Sequence, residues 1–388
     1  MDFALASGYT ATPFYCIDHL EGGARMSGML FALQFGAYAA TSFAAARFVA
    51  RTKNGLIWAV CGSGLFTVLF PLAIAYRSAY FFGATTLVAM GSFSLIWAAL
   101  QSWLGAEPDP RTRARRIACF TLSWSAGIAL GPLAAGVLYD IDFRLPFVLM
   151  FLAGSVGVAF ILTLPREQEL HRPESRADHS SGEIEDTESE MFLWCAWAAN
   201  AFGCALILAT RSVFPDRIAV LVQAGELLSF LDGAKGAQWG VLAFALSASR
   251  AAFFFVLGHT TWWQHRFRVL VLFQVGAGAA MCLLAATQSL AVMIVCCLAL
   301  GANNALTFFS SSYYSLANPT EKHRRASTHE GVTGLGNCAG PLVFGLLAGT
   351  FETTWPFRYA PAFVAGALMI QWALLMHSKR RFAGSVAP

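Results

Sequence analysis

Two arginines lie inside long apolar stretches of this 388-residue chain, where a positive charge is costly. Arg250 lies within LSASRAAFF and Arg211 within ILATRSVFP. A guanidinium in such a setting must be paired, hydrated or matched by an anionic ligand. The 22 carboxylates fall almost entirely outside the apolar stretches, and we expect none at the depth of Arg250. The pattern therefore predicts a site for an anionic group. Two alternatives stay open: Arg211 can extend its head towards water, and Arg250 can have a purely structural role.

Uncharged polar side chains inside the apolar stretches are weaker candidates for contacts with the same ligand. They are Gln34, Asn200, Asn303, Asn304 and Asn337, and Trp97 and Gln101 are further candidates. The alternative is that these side chains only form hydrogen bonds between helices.

Enzyme motifs are incomplete in this sequence. His329-Glu330 begins like a zinc-protease motif, but Thr333 stands where the second histidine ligand is required. The glycine-rich run 331–336 has no preceding strand and no following phosphate-binding lysine. We therefore expect no enzyme activity, no bound metal and no cofactor. Glu330 is the carboxylate most consistent with a position inside an apolar run, so Glu330 and His329 are the candidates for proton coupling.

The composition places these residues in a membrane. The chain is 57% hydrophobic and 12% charged, whereas soluble domains carry about twice that charged fraction. Backbone groups in lipid must be satisfied within the segment, so the apolar runs predict helices. The net charge of +4 is spread over loops and does not indicate a nucleic-acid partner. The first run is short for a spanning helix. Twelve runs are expected, at about 3–17, 26–50, 56–76, 80–104, 117–139, 145–164, 191–214, 237–259, 268–287, 290–312, 328–351 and 359–377.

Charges outside the runs predict domain boundaries and sidedness. Residues 166–190 hold nine acidic and three basic residues without apolar periodicity, which is typical of a flexible linker. We expect an N-terminal six-helix bundle at 1–165 and a C-terminal one at 191–388. Of the 26 Lys and Arg, 17 lie on the side of the linker and 6 on the other. The positive-inside rule then makes the linker and both termini cytoplasmic, in a multi-pass protein of the plasma or inner membrane.

One motif occurs twice, at an offset of 209 residues. The first copy contains Gly127, Gly131, Pro132 and Gly136, and the second contains Gly336, Gly340, Pro341 and Gly345. Proline bends a helix and glycine lets a neighbour approach closely. A duplicated sliding surface for alternating access is one interpretation, and tight packing without a gating role is the other. Aligning Gly28 with Gly240 places Tyr38 opposite Arg250, which suits a solute with one charged end.

The two six-helix sets, the linker and the G-x-x-x-G-P helix resemble the major facilitator superfamily over essentially the whole chain. The first motif copy is similar to the core of that family's antiporter motif, with Ala118 in place of an upstream glycine. The loop AAARFVARTKN keeps basic residues but lacks the family's aspartate. The resemblance implies twelve helices in two pseudo-symmetric bundles. It also implies a cavity lined by helices 1, 4, 7 and 10, which favours Asn200, Asn303 and Asn304.

The resulting hypothesis is a monomeric secondary active transporter of a small, anionic solute, with the antiporter-like helix favouring export. An importer or facilitator of a small organic anion is the second hypothesis. A non-transporting membrane sensor or scaffold is the third, although the linker is short for binding a partner domain.

Overall fold

The protein is described by a computed structural model that covers residues 1–49, 56–105, 110–164, 187–231, 233–316 and 322–385. These residues form twelve long helices, named α1 to α12 in chain order. Their bounds are Asp2–His19, Gly23–Val49, Leu56–Leu72, Ala79–Gly105, Pro110–Ile141, Leu145–Leu162, Thr187–Gln223, Lys235–Gly258, Phe267–Ala286, Leu290–Leu316, Lys322–Thr350 and Ala360–Ser385. A 3-10 turn at Ala73–Ala75 extends α3, and a helical turn at Trp355–Arg358 precedes α12.

Ten of these helices, α3 to α12, are long and apolar enough to cross a membrane by length and composition. Helix α1 is more polar, and its position explains why. Every residue from Ala4 to Cys16 is buried, so protein rather than lipid surrounds the helix. Its hydroxyl groups form hydrogen bonds within the helix: those of Thr10 and Thr12 donate to the carbonyl oxygens of Ala6 and Gly8.

The helices pack in two bundles with the same internal arrangement. Helix α1 packs on α5 and α6, as α7 packs on α11 and α12. Helix α4 lies between α2 and α3, as α10 lies between α8 and α9. The main contacts between the bundles are α2 with α11 and α5 with α8. These two pairs are equivalent, because α2 of the first bundle corresponds to α8 of the second, and α5 corresponds to α11. The prediction of two pseudo-symmetric six-helix bundles is confirmed.

Two ends of the molecule are named by the chain path. The linker end is where α6 ends and α7 begins, and the far end is the opposite one. Most of the predicted linker, 166–186, lies outside the described residues, as does the loop 50–55 of the basic run AAARFVARTKN. Residues 187–190, predicted as linker, belong to α7. Helix α7 also continues to Gln223, so Asp216 and Arg217 lie in a helix and not in the predicted loop.

Candidate substrate site between the two bundles

The duplicated motif gives α5 and α11 two different faces. Within each bundle the first two glycines allow close packing on the first helix. A Cβ on Gly131 would lie 2.8 Å from the carbonyl oxygen of Phe3 in α1. A Cβ on Gly340 would lie 2.1 Å from the carbonyl oxygen of Ala205 in α7. Gly127 and Gly336 make the equivalent contacts one turn earlier, with α1 and α7. These four glycines therefore serve packing inside each bundle.

The last glycine of each copy lies between the bundles. A Cβ on Gly136 would lie 2.3 Å from the carbonyl oxygen of Gly236 in α8, and one on Gly345 would lie 2.8 Å from the Cα of Gly28 in α2. A Cβ on Gly240 would in turn lie 2.7 Å from the carbonyl oxygen of Pro132. A Cβ on Gly28 would lie 2.5 Å from the carbonyl oxygen of Pro341. The two interfaces are thus backbone against backbone, and the aligned pair Gly28 and Gly240 occupies equivalent positions.

Arg250 lies at the interface between the bundles, against rings from both of them. Its guanidinium carbon is 4.7 Å from the ring centroid of Trp124 in α5 and 5.8 Å from that of Phe254 in α8. The two rings stack with centroids 6.0 Å apart. Nη1 donates to Asn304 Oδ1 at 3.4 Å, which is long for a charge-assisted hydrogen bond. The side chain is only partly buried, so a planar donor group with spare N–H groups is accessible between the bundles.

Asp2 is an acidic residue near Arg250 that the sequence analysis did not assign to the site. Its side chain is 9% exposed at the start of α1 and lies within electrostatic range of Arg250. Its Oδ1 has no hydrogen-bond partner among the described residues. Helix α5 covers it, since a Cβ on Gly127 would lie 3.3 Å from the Asp2 Cβ. The sequence did not indicate this position, because the burial of Asp2 depends on the packing of α5 over α1.

Arg211 points into the molecule and not to the outer surface. Its Nη2 donates to Ser247 Oγ in α8 at 2.6 Å. Ser247 Oγ in turn donates to the carbonyl of Ala243 at 2.7 Å. Tyr9 of α1 and Arg250 both lie within electrostatic range of Arg211. The alternative in which Arg211 extends its head towards water does not describe this structure.

A chain of polar contacts leads from Arg250 into the C-terminal bundle. Asn304 Nδ2 donates to Cys204 Sγ at 3.7 Å, and Cys204 Sγ donates to Asn200 Oδ1 at 3.4 Å. Asn200 Nδ2 donates to Thr333 Oγ1 in α11 at 2.8 Å. Asn200 and Asn304 thus join α7, α10 and α11 behind Arg250. These side chains therefore form hydrogen bonds between helices, which was the alternative to contact with a ligand. The same bonds also orient the Asn304 amide that contacts Arg250.

The chain continues to His329, one of the two candidates for proton coupling. Thr333 Oγ1 donates to the His329 carbonyl oxygen at 2.8 Å. His329 Nδ1 shares a hydrogen bond with Ser311 Oγ at 2.7 Å, while Nε2 is buried without a partner among the described residues. The ring packs edge-on against Phe308. His329 is 4% exposed, and its described partners Ser311 and Phe308 belong to the same C-terminal bundle.

The remaining predicted residues are distributed between both bundles. Tyr38 of α2 and Glu330 of α11 lie within electrostatic range of each other, so these two face across the interface. Gln34 is fully buried, and neither its amide oxygen nor its nitrogen has a partner in the described part of the chain. Asn303 is buried with Oδ1 unpartnered there. The side chain of Gln101 lies outside the described residues.

Polar contacts join the two bundles at the far end. Asp140, near the end of α5, accepts from the backbone N–H groups of Gly236 and Ala237 at 2.9 and 2.7 Å. These are the first N–H groups of α8, which have no partner within their own helix. Asp18 of α1 pairs with Lys235 at the same helix start. The far end is therefore closed by a carboxylate of one bundle that caps a helix of the other.

The geometry agrees with a known family. The model of the Major Facilitator Superfamily matches residues 3–329. The chain belongs to the major facilitator superfamily. No curated protein sequence matches the chain.

Three solved transporters show the shared fold. The nucleoside transporter NupG is 11% identical with a TM-score of 0.75, and the match covers 96% of each chain. A transporter of the POT family, solved with a thioalcohol-conjugated peptide, is 11% identical with a TM-score of 0.73, covering 97% of this chain and 94% of that one. A bacterial homologue of the human lysosomal transporter Spinster is 14% identical with a TM-score of 0.70, covering 99% and 95%. As a member of this superfamily, the chain is a multi-pass membrane transporter and not an enzyme.

Four residues near the site were missed by sequence reasoning. Trp124, Ser247 and Cys204 are ordinary in membrane helices, so no sequence signal marks them. Asp2 carries no clear signal either, because an acidic residue in the first turn of a helix is common and favourable. Only the packing of α5 over α1 shows that Asp2 is buried.

Proposed function

We propose that the chain is a secondary active transporter that moves a small solute bearing an anionic group, by alternating access around a site at Arg250. The observation that carries this proposal is the position of Arg250. It is a partly accessible guanidinium between the two bundles, with one long hydrogen bond and rings of both bundles against it. A carboxylate or phosphate matches such a planar fork.

The rest of the site supports a solute of limited size with polar and aromatic parts. Trp124 and Phe254 offer ring faces beside the charge. Arg211 supplies a second positive charge within electrostatic range. Tyr38 of α2 and Glu330 of α11 lie within electrostatic range of each other where the two bundles meet. We assign Arg250 and Arg211 to the anionic end of the solute, and Tyr38, Gln34, Asn200, Asn303 and Asn304 to its remaining contacts or their support.

Two directions of transport are supported by different observations. The antiporter-like motif in α5 favours export in exchange for another solute or a proton. The position of Asp2 favours the second candidate, proton-linked uptake of an anion. If an anionic solute neutralises the charge of Arg250, the Asp2 carboxylate loses electrostatic stabilisation and takes up a proton, and the anion and the proton then move in the same direction.

Flux measurements in liposomes test the proposal. The purified protein is reconstituted and uptake of a panel of labelled organic anions is measured, with a pH gradient of either sign and without one. We expect at least one anion to move faster with the protein than in empty liposomes, and less in the Arg250→Ala variant. The matched control is Arg380→Ala, which removes an exposed arginine on α12. Equal flux in both variants would overturn the assignment of Arg250.

A further inference from the structure

A cavity of about 630 Å³ lies at the linker end of the C-terminal bundle. The first turns of α7 and α9 and the last third of α12 form its walls. Its apolar lining includes Phe192, Phe267 and Leu375, and its cationic lining consists of Arg266, Arg268 and Lys379. None of the residues that line the cavity is among those placed around Arg250, so the proposed transport site does not explain the cavity.

The three cations are exposed and available to a ligand. Among the described ion pairs, none involves Arg266, Arg268 or Lys379. Glu190 of α7, two residues before Phe192, pairs with Arg325 of α11. Three positive charges therefore line one apolar cavity, and the neighbouring carboxylate is committed elsewhere.

Tryptophans mark the depth of the cavity in the membrane. Trp262 lies in the loop just before α9 and is 37% exposed, and Trp194 on the outer face of α7 is 54% exposed. Exposed tryptophans of membrane proteins concentrate at the level of the lipid headgroups. The cavity therefore opens where phosphate groups and the first methylene groups of lipid chains lie.

We propose that this cavity binds an anionic phospholipid. Its phosphate contacts Arg266, Arg268 and Lys379, and an acyl chain lies along Phe192, Phe267 and Leu375. A free phosphate would use the cations but leave the apolar wall without a role. Basic pockets between membrane helices recognise anionic headgroups through the same combination of charge and apolar surface.

Native mass spectrometry of the full-length protein in detergent tests the site, with phosphatidylglycerol and phosphatidylcholine of equal chain length as probes. The test variant is the double substitution Arg268→Gln with Lys379→Gln. The matched control is Arg380→Gln with Arg381→Gln, which removes the same charge from exposed positions on α12 that do not line the cavity. Inorganic phosphate and glycerol 3-phosphate are added as competitors to separate a lipid from a free anion.

We expect wild-type protein to retain phosphatidylglycerol over phosphatidylcholine, and the test variant to bind it about thirtyfold more weakly, from the loss of two surface cations. The control variant should bind as the wild type does, and neither competitor should displace the lipid at millimolar concentration. Equal weakening in both variants, or no preference for the anionic lipid, would overturn the proposal. Displacement by glycerol 3-phosphate would also overturn it, because the site would then recognise a free anion. Circular dichroism of each variant verifies that it is folded.

Discussion

Arg250 and Asp2 come from different bundles and lie within electrostatic range of each other. An opposite charge lowers the cost of keeping each group ionised away from water. Both groups can still bind another partner, because Arg250 is partly accessible and Asp2 Oδ1 has no hydrogen-bond partner among the described residues. The described ion pairs include none between Asp2 and Arg250. We propose that an anionic solute beside Arg250 competes electrostatically with the Asp2 carboxylate.

Substitution of Arg250 should weaken solute binding in two steps. Lysine keeps the charge but loses the planar fork, and alanine loses both. We expect a loss of about tenfold for Arg250→Lys and about a hundredfold for Arg250→Ala, the range of one or two charge-assisted hydrogen bonds. The measurement is the dissociation constant of a transported anion for purified protein. Binding by Arg250→Ala as tight as that of the wild type would contradict the assignment.

The two carboxylates near the site should differ in their effect on proton coupling. In Asp2→Asn the side chain can neither compete for Arg250 nor take up a proton. We expect severalfold tighter binding of the anion and loss of the response of flux to a pH gradient. Glu330→Gln should keep that response. Liposome flux at several pH gradients distinguishes the two variants, and the opposite result would place coupling at Glu330.

Helices α5 and α11 each combine packing within a bundle with packing between bundles. Gly131 and Gly340 face α1 and α7 of their own bundles, and Gly136 and Gly345 face the other bundle. Alternating access requires the bundles to move relative to each other while each stays intact. We propose that the gating role predicted for the whole motif belongs to its last glycine, and that the earlier glycines serve the stability of the bundle.

Alanine at Gly136 should change the interface between the bundles. The added Cβ would meet a backbone oxygen at 2.3 Å, and backbone on both sides cannot move aside locally. We expect a cost of about 1–3 kcal/mol, typical of overpacking, seen as loss of flux with the protein still inserted. Gly366→Ala is the matched control, since nothing lies within 4 Å of its Cβ position.

Gly131→Ala offers the complementary result. Its Cβ would meet α1 at 2.8 Å, inside one bundle. We expect a lower unfolding temperature for this variant, measured by thermal denaturation in detergent, with little change in the balance between conformations. If Gly131→Ala and Gly136→Ala behaved alike in both measurements, the division of the motif into two faces would be wrong.

On the scale of the whole molecule, the far end is held closed by contacts between the bundles. Asp140 caps the start of α8, and Asp18 pairs with Lys235. Ser27 of α2 donates to the carbonyl oxygen of Ser212 in α7 at 2.6 Å. Opening this end requires these contacts to break, whereas contacts inside either bundle can persist. They therefore belong to one conformation of the transport cycle.

Removal of the Asp140 carboxylate should shift the protein towards a conformation open at the far end. Asp140→Asn keeps the shape but weakens two charge-assisted hydrogen bonds, so we expect a shift of about tenfold or more in the equilibrium between conformations. Spin labels at Arg77→Cys and Ala224→Cys, in a cysteine-reduced background, report the distance between bundles. Glu352→Gln is the control, because its partner Arg358 lies in the same bundle. An unchanged distance distribution in Asp140→Asn would contradict the capping role.

Several features of the site follow from the sequence because they depend on local chemistry. Arg250 and Arg211 stand out since a charge in an apolar helix is rare and needs a reason. The repeat identifies Gly136 and Gly345 as equivalent, and it pairs Gly28 with Gly240. Trp124 and Cys204 do not stand out, because an aromatic or a thiol in a membrane helix is unremarkable until its neighbours are known.

The sequence by itself determined the helices, their number and their duplication, because lipid forces the backbone to satisfy its own hydrogen bonds and leaves a long apolar run for each span. It also determined which arginines are costly. Only the tertiary structure decided what those arginines meet, since their neighbours come from helices far away in the chain. The burial of Asp2, the rings around Arg250 and the cap of α8 by Asp140 all depend on how one bundle packs against the other, and no local pattern encodes that contact.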